Sequence, residues 1–431
     1  MPITVISDRI KFFINRTRER LWVKPLASCV LSIAGALIAK LADYTQLAQI
    51  LPSVTVESVE TLLSVMASGM LVIATFAVGS MVAAYGSASN TASPRSFALV
   101  VADDVSQHAL STFIGAFIFS IVGLIATKNG YFQHAGHFVL FILTIIVFMM
   151  VILTFVRWVD RIARLGRLGT TIEKVEKATA EALKRRRDAP NLGGRPVESK
   201  YYTGLAIPTD SIGYLQHINI AALQTYAEQI NGYIAVAVLP GSFIVPGRPL
   251  VYIDAESLAP NDVDCSLVTS AFLIDKERVF DDDPRFGLVV LSQIAARALS
   301  PAVNDPGTAI DILGILTRLF VGWKTQMGSE YTPEVKYDRV TVPELSIQEM
   351  FDDAFTAIAR DGSGAVEVQI RLQKMLSILA AMGDDAMRDA AIRHAQRALA
   401  YAEKNLLLPE DIATIRKISS FAFDDPLEER Y

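Results

Sequence analysis

Cysteine is nearly absent: Cys29 and Cys265 are the two in 431 residues. The first lies in a greasy segment and the second in a polar one, so no disulfide framework and no oxidising compartment are implied. Histidine is also sparse, five in all, with no HExxH and no Cys/His array. His134 and His137 flank a loop at i, i+3, and chance explains that spacing better than a metal site. Positive charge is not in excess. A net charge of −5 removes nucleic acid as a partner. Nucleophile–base pairs, metal sets and phosphate loops are missing, so the chain is not read as an enzyme and no cofactor is expected.

Apolar residues are what the chain has in excess. They make up 52%, against about 45–50% for soluble globular proteins, and the surplus falls within the first 156 positions. A hydrocarbon core needs about 20 apolar residues per helix, and four segments qualify: 25–44, 61–85, 108–127 and 138–156. The first contains Lys40, close enough to its end to snorkel towards the headgroups. No span has a central Asp, Glu, Arg or His. That absence excludes proton relays and charge-coupled transport. Basic residues crowd the flanks before span one (Lys11, Arg16, Arg18, Arg20, Lys24) and after span four (Arg157, Arg161, Arg164, Arg167), with Arg95 between spans two and three. By the positive-inside rule both termini face the cytoplasm. Residues 1–24, with Ile6, Ile10, Phe13 and Ile14 among Arg and Lys, read as an amphipathic helix on the inner leaflet.

Span two carries the most informative pattern. Ser64, Ser68, Thr75, Gly79 and Gly86 fall within roughly 60° of one another at about 100° per residue. Lipid does not select such a face, so it meets another helix or water. Val72 and Val82 lie on the same side. Span three has its own small residues, Ser111 with Gly115 and Ala116 with Ser120, which let helices approach closely. Span four is bulky and suits lipid. Ser93-Pro94-Arg95 reads as N-cap, N1 and first turn, opening a helix that runs on through Phe97, Val101 and Val105 into span three. Asp103 and Asp104 then stand on its aqueous part, as a solvated face or as the lining of a cation-attracting mouth.

Residues 157–190 form a charged helix and a turn-rich linker. From 191 to 275 a mixed α/β unit follows: strand 213–218, helix 220–230 capped by Asn219, strand 233–239, two Pro-Gly turns, strand 249–254 and a further strand over 266–274. The Pro-Gly hairpin resembles small lipoyl-carrying barrels, but no lysine stands at its tip, so it reads as scaffold. Region 276–340 is a helix–turn–helix. Asp281-Asp282-Asp283-Pro284 opens its first helix as a capped, dipole-compensating start and lacks the alternating oxygen ligands of a calcium loop. The turn brings together Arg297, Ser300, Asn304, Asp305 and Thr308. Free N–H groups at a helix start can hold a small anionic ligand; equally, Asp305 can be a cap and Arg297 a C-terminal charge. Residues 341–431 are a helical bundle: 347–359, 366–382, 387–403 and 409–418. The fold class is therefore a polytopic four-helix membrane domain followed by an α+β cytosolic domain ending in a helical bundle.

Several stretches carry a family likeness: Leu63-Ser-Val-Met-Ala-Ser-Gly-Met70, Ser93-Pro-Arg95, Gln107 with Leu110-Ser-Thr-Phe113, Gly213-Tyr-Leu-Gln-His-Ile218, Pro240-Gly-Ser-Phe243 with Pro246-Gly247, Phe286-Gly287, and above all Arg297-Ala-Leu-Ser-Pro-Ala-Val-Asn-Asp-Pro306 with Thr308-Ala309. On these the chain resembles the DUF2254 family of predicted bacterial membrane proteins, over most of its length. The resemblance implies a short membrane domain followed by a cytosolic domain. Asp104 departs from the pattern, which places arginine after its aspartate.

Four spans are too few to enclose an aqueous path in one chain. The expectation is a homo-oligomer in the lipid bilayer, with the span-two stripe lining a central pore for ions and a cytosolic unit regulating it. The alternative is a non-conducting sensor or scaffold whose corner at Arg297 and Asp305 binds an anionic ligand or a protein partner.

Overall fold

A computed structural model describes residues 23–44, 51–52, 54–101, 103–197, 203–255, 263–325 and 335–423. The expected amphipathic helix over 1–24 lies, but for its last two residues, outside this set. The chain divides into two compact units, Met1–Thr171 and Ile172–Tyr431.

The first unit is built on helices α1 (Val23–Ile38, prolonged by a 3-10 turn to Tyr44), α2 (Val56–Thr91), α3 (Phe97–Val101), α4 (Asp104–Lys128) and α5 (His134–Ile162). Among the described residues four stretches are long and apolar enough to cross a membrane: Val23–Tyr44, Val56–Ala88, Val105–Lys128 and His134–Ile162. Each contains the segment expected from hydropathy. At 36 residues α2 is roughly 54 Å long and outruns a hydrocarbon core of about 30 Å.

Small residues put α4 in the middle. A Cβ on Gly115 would stand 3.1 Å from Ser28 Cβ of α1, and one on Gly123 would stand 3.3 Å from Leu63 of α2 and 3.5 Å from Leu140 of α5. Ser111 and Ser120 are buried on the same helix, each donating its hydroxyl to a carbonyl four residues back, Gln107 O and Ala116 O. The polar groups are thus satisfied within the helix while their small volume admits the neighbours. Span four leaves much of its surface open, at Ile145, Met149 and Leu153 among others.

Lys40 is held rather than left to snorkel. Its ammonium lies 3.4 Å from Asp43 and donates to Tyr131 O at 2.6 Å. Asp43 in turn accepts from the backbone N–H of Gln133 (2.8 Å) and Gly136 (2.6 Å). A carboxylate at the end of span one therefore caps the first turn of span four.

The single helix expected to run from Ser93 into span three is broken. Ser93 does cap, accepting from Arg95 N, but it opens a 3-10 turn (Pro94–Ser96) and the short α3. The chain then breaks ahead of Asp103, which caps α4 by accepting from Ser106 N (3.2 Å) and Ser106 Oγ (2.9 Å). An aspartate three residues before a serine offers the backbone a start signal that outcompetes helix continuation.

The second unit opens on α6 (Leu168–Asp188), whose first turn still belongs to the membrane unit. Among the described residues eight strands follow in two sheets: β1 (Gly194–Pro196), β2 (Leu205–Pro208), β3 (Gly213–Ile218), β4 (Tyr233–Val236), β5 (Phe243–Ile244), β6 (Pro249–Asp254), β7 (Phe272–Asp275) and β8 (Tyr337–Val342). The five-stranded sheet runs β1-β8-β4-β6-β2 and the three-stranded one β5-β3-β7. Strand β8 pairs parallel to both β1 and β4. Helix α7 (Ile220–Gln229) is capped by Asn219 as expected, yet β3 and β4 on either side of it join different sheets. The stretch read as a strand over 266–274 divides: Asp264 caps a short helix α8 (Cys265–Thr269) by accepting from Ser266 N and Leu267 N, and only then does β7 begin. Leu215, Leu223, Ile234, Val251 and Val340 form the shared apolar core.

Helices α9 (Pro284–Ala298) and α10 (Pro306–Thr325) stand between β7 and β8. The chain closes with α11 (Ile347–Asp361), α12 (Val366–Met382), α13 (Asp385–Asn405) and α14 (Pro409–Ile418), close to the spacing read from the sequence.

Candidate functional site

Helix α2 buries one face and opens the other. Val59, Leu63, Met66, Met70, Ala77 and Met81 are buried against the neighbouring helices. Ser64, Ser68, Val72, Thr75, Gly79, Val82 and Gly86 are all exposed, on a face roughly 150° around the axis from the buried one. A Cβ on Gly79 or Gly86 would meet nothing within 4 Å. Ser68 donates its hydroxyl to Ser64 O (3.0 Å), and Thr75 to Leu71 O (2.9 Å). With their hydrogens so engaged, these oxygens offer only lone pairs outward. Leu71 and Phe76 beside the stripe are exposed as well.

Asp103 is no mouth residue. It is 3% exposed, and beyond capping α4 it accepts from Arg161 Nε (3.0 Å) and Nη2 (2.5 Å). The pair ties the start of α4 to the last turn of α5, because both helices end at the same level of the bundle. Asp104 opens the backbone of α4, and its side chain lies outside what the structure describes. Nearby, Trp158 is fully buried with its ring edge-on to Phe113 at 6.1 Å. Among the described residues the buried Tyr85 hydroxyl and Trp158 Nε1 meet no hydrogen-bond partner.

The corner after α9 closes on itself. Asn304 adopts a left-handed φ of 50°, and the N–H of Asp305 returns to Ala298 O at 2.8 Å. Asp305 then accepts from Thr308 N (3.1 Å) and Thr308 Oγ1 (2.6 Å). These two bonds hold its carboxyl below the usual range, the hydroxyl contributing most. Ser300 gives its hydroxyl to Arg297 O at 2.7 Å. Ser300, Asn304, Asp305 and Thr308 thus share one turn, and the chain's own carboxylate takes the place that an outside anion would occupy. Arg297 is exposed.

The model of a family described as a predicted membrane protein, DUF2254, matches residues 18–377. The chain belongs to the DUF2254 family. The match takes in all four spans, both sheets and most of α12. An uncharacterised protein of Mycobacterium tuberculosis is 27% identical to this DUF2254 chain over 190 residues, covering 42% of the chain and 36% of that protein. One of Mycobacterium bovis gives the same figures. The chain therefore spans about a third of the length of these curated relatives. No solved structure matches it.

In this DUF2254 protein a second polar cluster was not read from sequence beyond its cap. Asp283 caps α9 through Phe286 N and is gripped by Arg278 at 2.7 and 3.0 Å. Burial pushes its carboxyl up, against the pull of Arg278. Gly241, at φ 92°, lies so close that a Cβ would stand 2.3 Å from Asp283 Oδ2. The Pro-Gly turn is thus glycine because the cap carboxylate is pressed against it. Next to it, His217 Nδ1 lies 2.5 Å from Asp282. Arg186 is 4% exposed, and its Nε and Nη1 have no partner. Burial lowers its guanidinium to about 10. Among the described residues no group of three or more His, Cys, Asp or Glu could hold a metal ion.

Proposed function

We propose that this protein is a homo-oligomeric ion channel of the bacterial inner membrane, with both termini and the second unit in the cytoplasm. The observation that carries the reading is the outward face of α2. Its hydroxyl and glycine stripe is exposed among the described residues, where packing against the other described helices would have hidden it. Several copies around an axis would set these stripes about a shared aqueous path. Ser68 and Thr75, their hydrogens committed to the backbone, would tolerate hydrated ions without binding them tightly. Rings of Val72 or Val82 would close the path by dewetting. Basic flanks at Lys24, Arg95, Arg157 and Arg164 support the orientation. The reading needs no catalytic step.

The test is purified protein in planar bilayers. Unitary currents are expected, and Ser68→Leu or Thr75→Leu is expected to reduce them without loss of assembly. Flat traces across pH, calcium and voltage would end this reading. They would favour a second one, a membrane-anchored sensor or scaffold, which rests on the exposed guanidinium of Arg297 beside the Asp305 turn. Under that reading Arg297→Ala weakens stabilisation by inorganic phosphate or an acidic peptide while leaving the unliganded protein intact.

A further inference from the structure

The segment joining the last span to the second unit is fastened to α2 rather than left loose. Leu165 is buried with Ala88 and Val100. Gly166 adopts φ 82°, and a Cβ there would stand 2.6 Å from Ala84 O and 3.2 Å from Ala84 Cα. Ser87 reaches from the next turn of α2 to Gly166 O at 3.4 Å. One turn earlier, Arg161 holds Asp103. The connector therefore sits on the very helix that bears the stripe.

Its other end is equally fixed. Two residues after Gly166, α6 begins and continues into the second unit without a break. There Glu176 pairs with Arg318 at 2.9 Å, Thr179 lies against Gly287, and Arg187 donates to Gly322 O at 3.0 Å. A helix is stiff over this length. A shift of its anchored part is passed along the helix towards its first turn, just ahead of which Gly166 is seated on Ala84.

We propose that residues 163–167, seated on Ala84 and Ser87 through Gly166 and braced by the Asp103–Arg161 pair, transmit displacement of the second unit to α2. As regulation of a pore this rests on the channel reading; as mechanical coupling it does not. Side chains larger than hydrogen cannot enter the seat, so Gly166 is a positioning residue for α2 and touches no ion itself.

Hydrogen exchange of the full chain in lipid nanodiscs tests this by a double-mutant cycle. Gly287→Ala puts a methyl against Thr179 and disturbs α6 far from the membrane unit; Arg318→Ala does so more gently, should the first unfold. With the connector intact, either is expected to lower amide protection over residues 84–92 roughly tenfold. In a Gly166→Val background the same substitution is expected to change nothing further there, while still loosening α6. Protection over 249–254 and 337–342 reports that the second unit remains folded. An unchanged 84–92 with the connector intact, or an equal response in both backgrounds, overturns the proposal. Currents give an independent arm. A silent parent protein removes the channel reading alone, and exchange then decides the coupling. In a conducting one, Gly166→Val is expected to alter open probability at constant unitary conductance; the reverse pattern counts against transmission.

Discussion

Asp43 and Gly136, 93 positions apart, are joined by a 2.6 Å hydrogen bond in which the Gly136 amide donates to the carboxylate. The same carboxylate takes the Gln133 amide and the Lys40 ammonium. It supplies at once the cap of span four and the counter-charge that lets a lysine sit near the end of span one. Asp43→Ala is expected to cost about 2 kcal/mol, a cap plus the counter-charge of Lys40. Chemical denaturation in detergent would measure it. A loss no larger than that of an exposed surface substitution would refute the assigned role.

At the opposite end of the bundle, Asp103→Asn is expected to destabilise by about 2–3 kcal/mol. Arg161, itself a third exposed, would lose the carboxylate that it holds, and α4 the charged acceptor of its cap. Adding Arg161→Gln should recover part of the loss. Strict additivity of the two substitutions would argue that they do not interact.

The two faces of α2 should respond oppositely. Leu63→Ala empties a site that is fully buried and is expected to cost about 2–5 kcal/mol. Ser68→Leu, on the exposed face, should leave the stability of a detergent-separated chain within about 0.5 kcal/mol. Calorimetry of both variants decides, and a large loss for Ser68→Leu would mean that the face is already packed.

Asp305→Ala and Arg297→Ala should also differ. The first removes a cap and costs about 1 kcal/mol. Because its folded carboxyl lies below its unfolded value, this contribution is present above about pH 4 and fades as pH falls through the folded value. The second removes an exposed side chain, and the unliganded melting temperature should not move. An equal loss from both would make the corner one structural unit.

His394 gives the clearest pH dependence. It is 3% exposed beside Phe351 and Phe355. Burial lowers its pKa, with Arg397 and Arg393 adding to the effect and Asp352, 3.2 Å away, opposing it. The unfolded chain takes up a proton near pH 6.5 where the folded one does not. Stability is therefore full above that value and declines as pH drops towards the folded pKa. Melting temperature should fall between about pH 7.5 and about pH 5.5, and His394→Gln should flatten the decline. A slope that persists in the variant would assign the effect elsewhere.

Local signals were legible in the sequence. Ser93, Asn219 and Asp283 all cap as their type and position suggest, because capping involves neighbours within four residues. The small residues of span three likewise announced a close approach. Pairings across long separations were not legible. Nothing near Asp103 announces Arg161, so a buried ion pair read as an aqueous face. Strand β8 is hidden in the sequence because Tyr337-Asp-Arg-Val-Thr-Val342 alternates only weakly, and its partners β4 and β1 lie far earlier in the chain. The corner at Asp305 is legible as geometry, with a cap and an anion site as its two readings, and the bonds from Thr308 to the Asp305 carboxylate are those of the cap.

The late arrival of β8 has a consequence for biogenesis. It lies between β1 and β4, so until residue 342 has left the ribosome both of those strands present bare hydrogen-bonding edges. A nascent chain stalled before residue 337 holds the helical hairpin α9–α10 and an unzipped sheet, the state most prone to pairing with a neighbour. Truncations ending near 325 should accordingly leave these edges open to pairing, whereas those ending just beyond 345 should close the sheet.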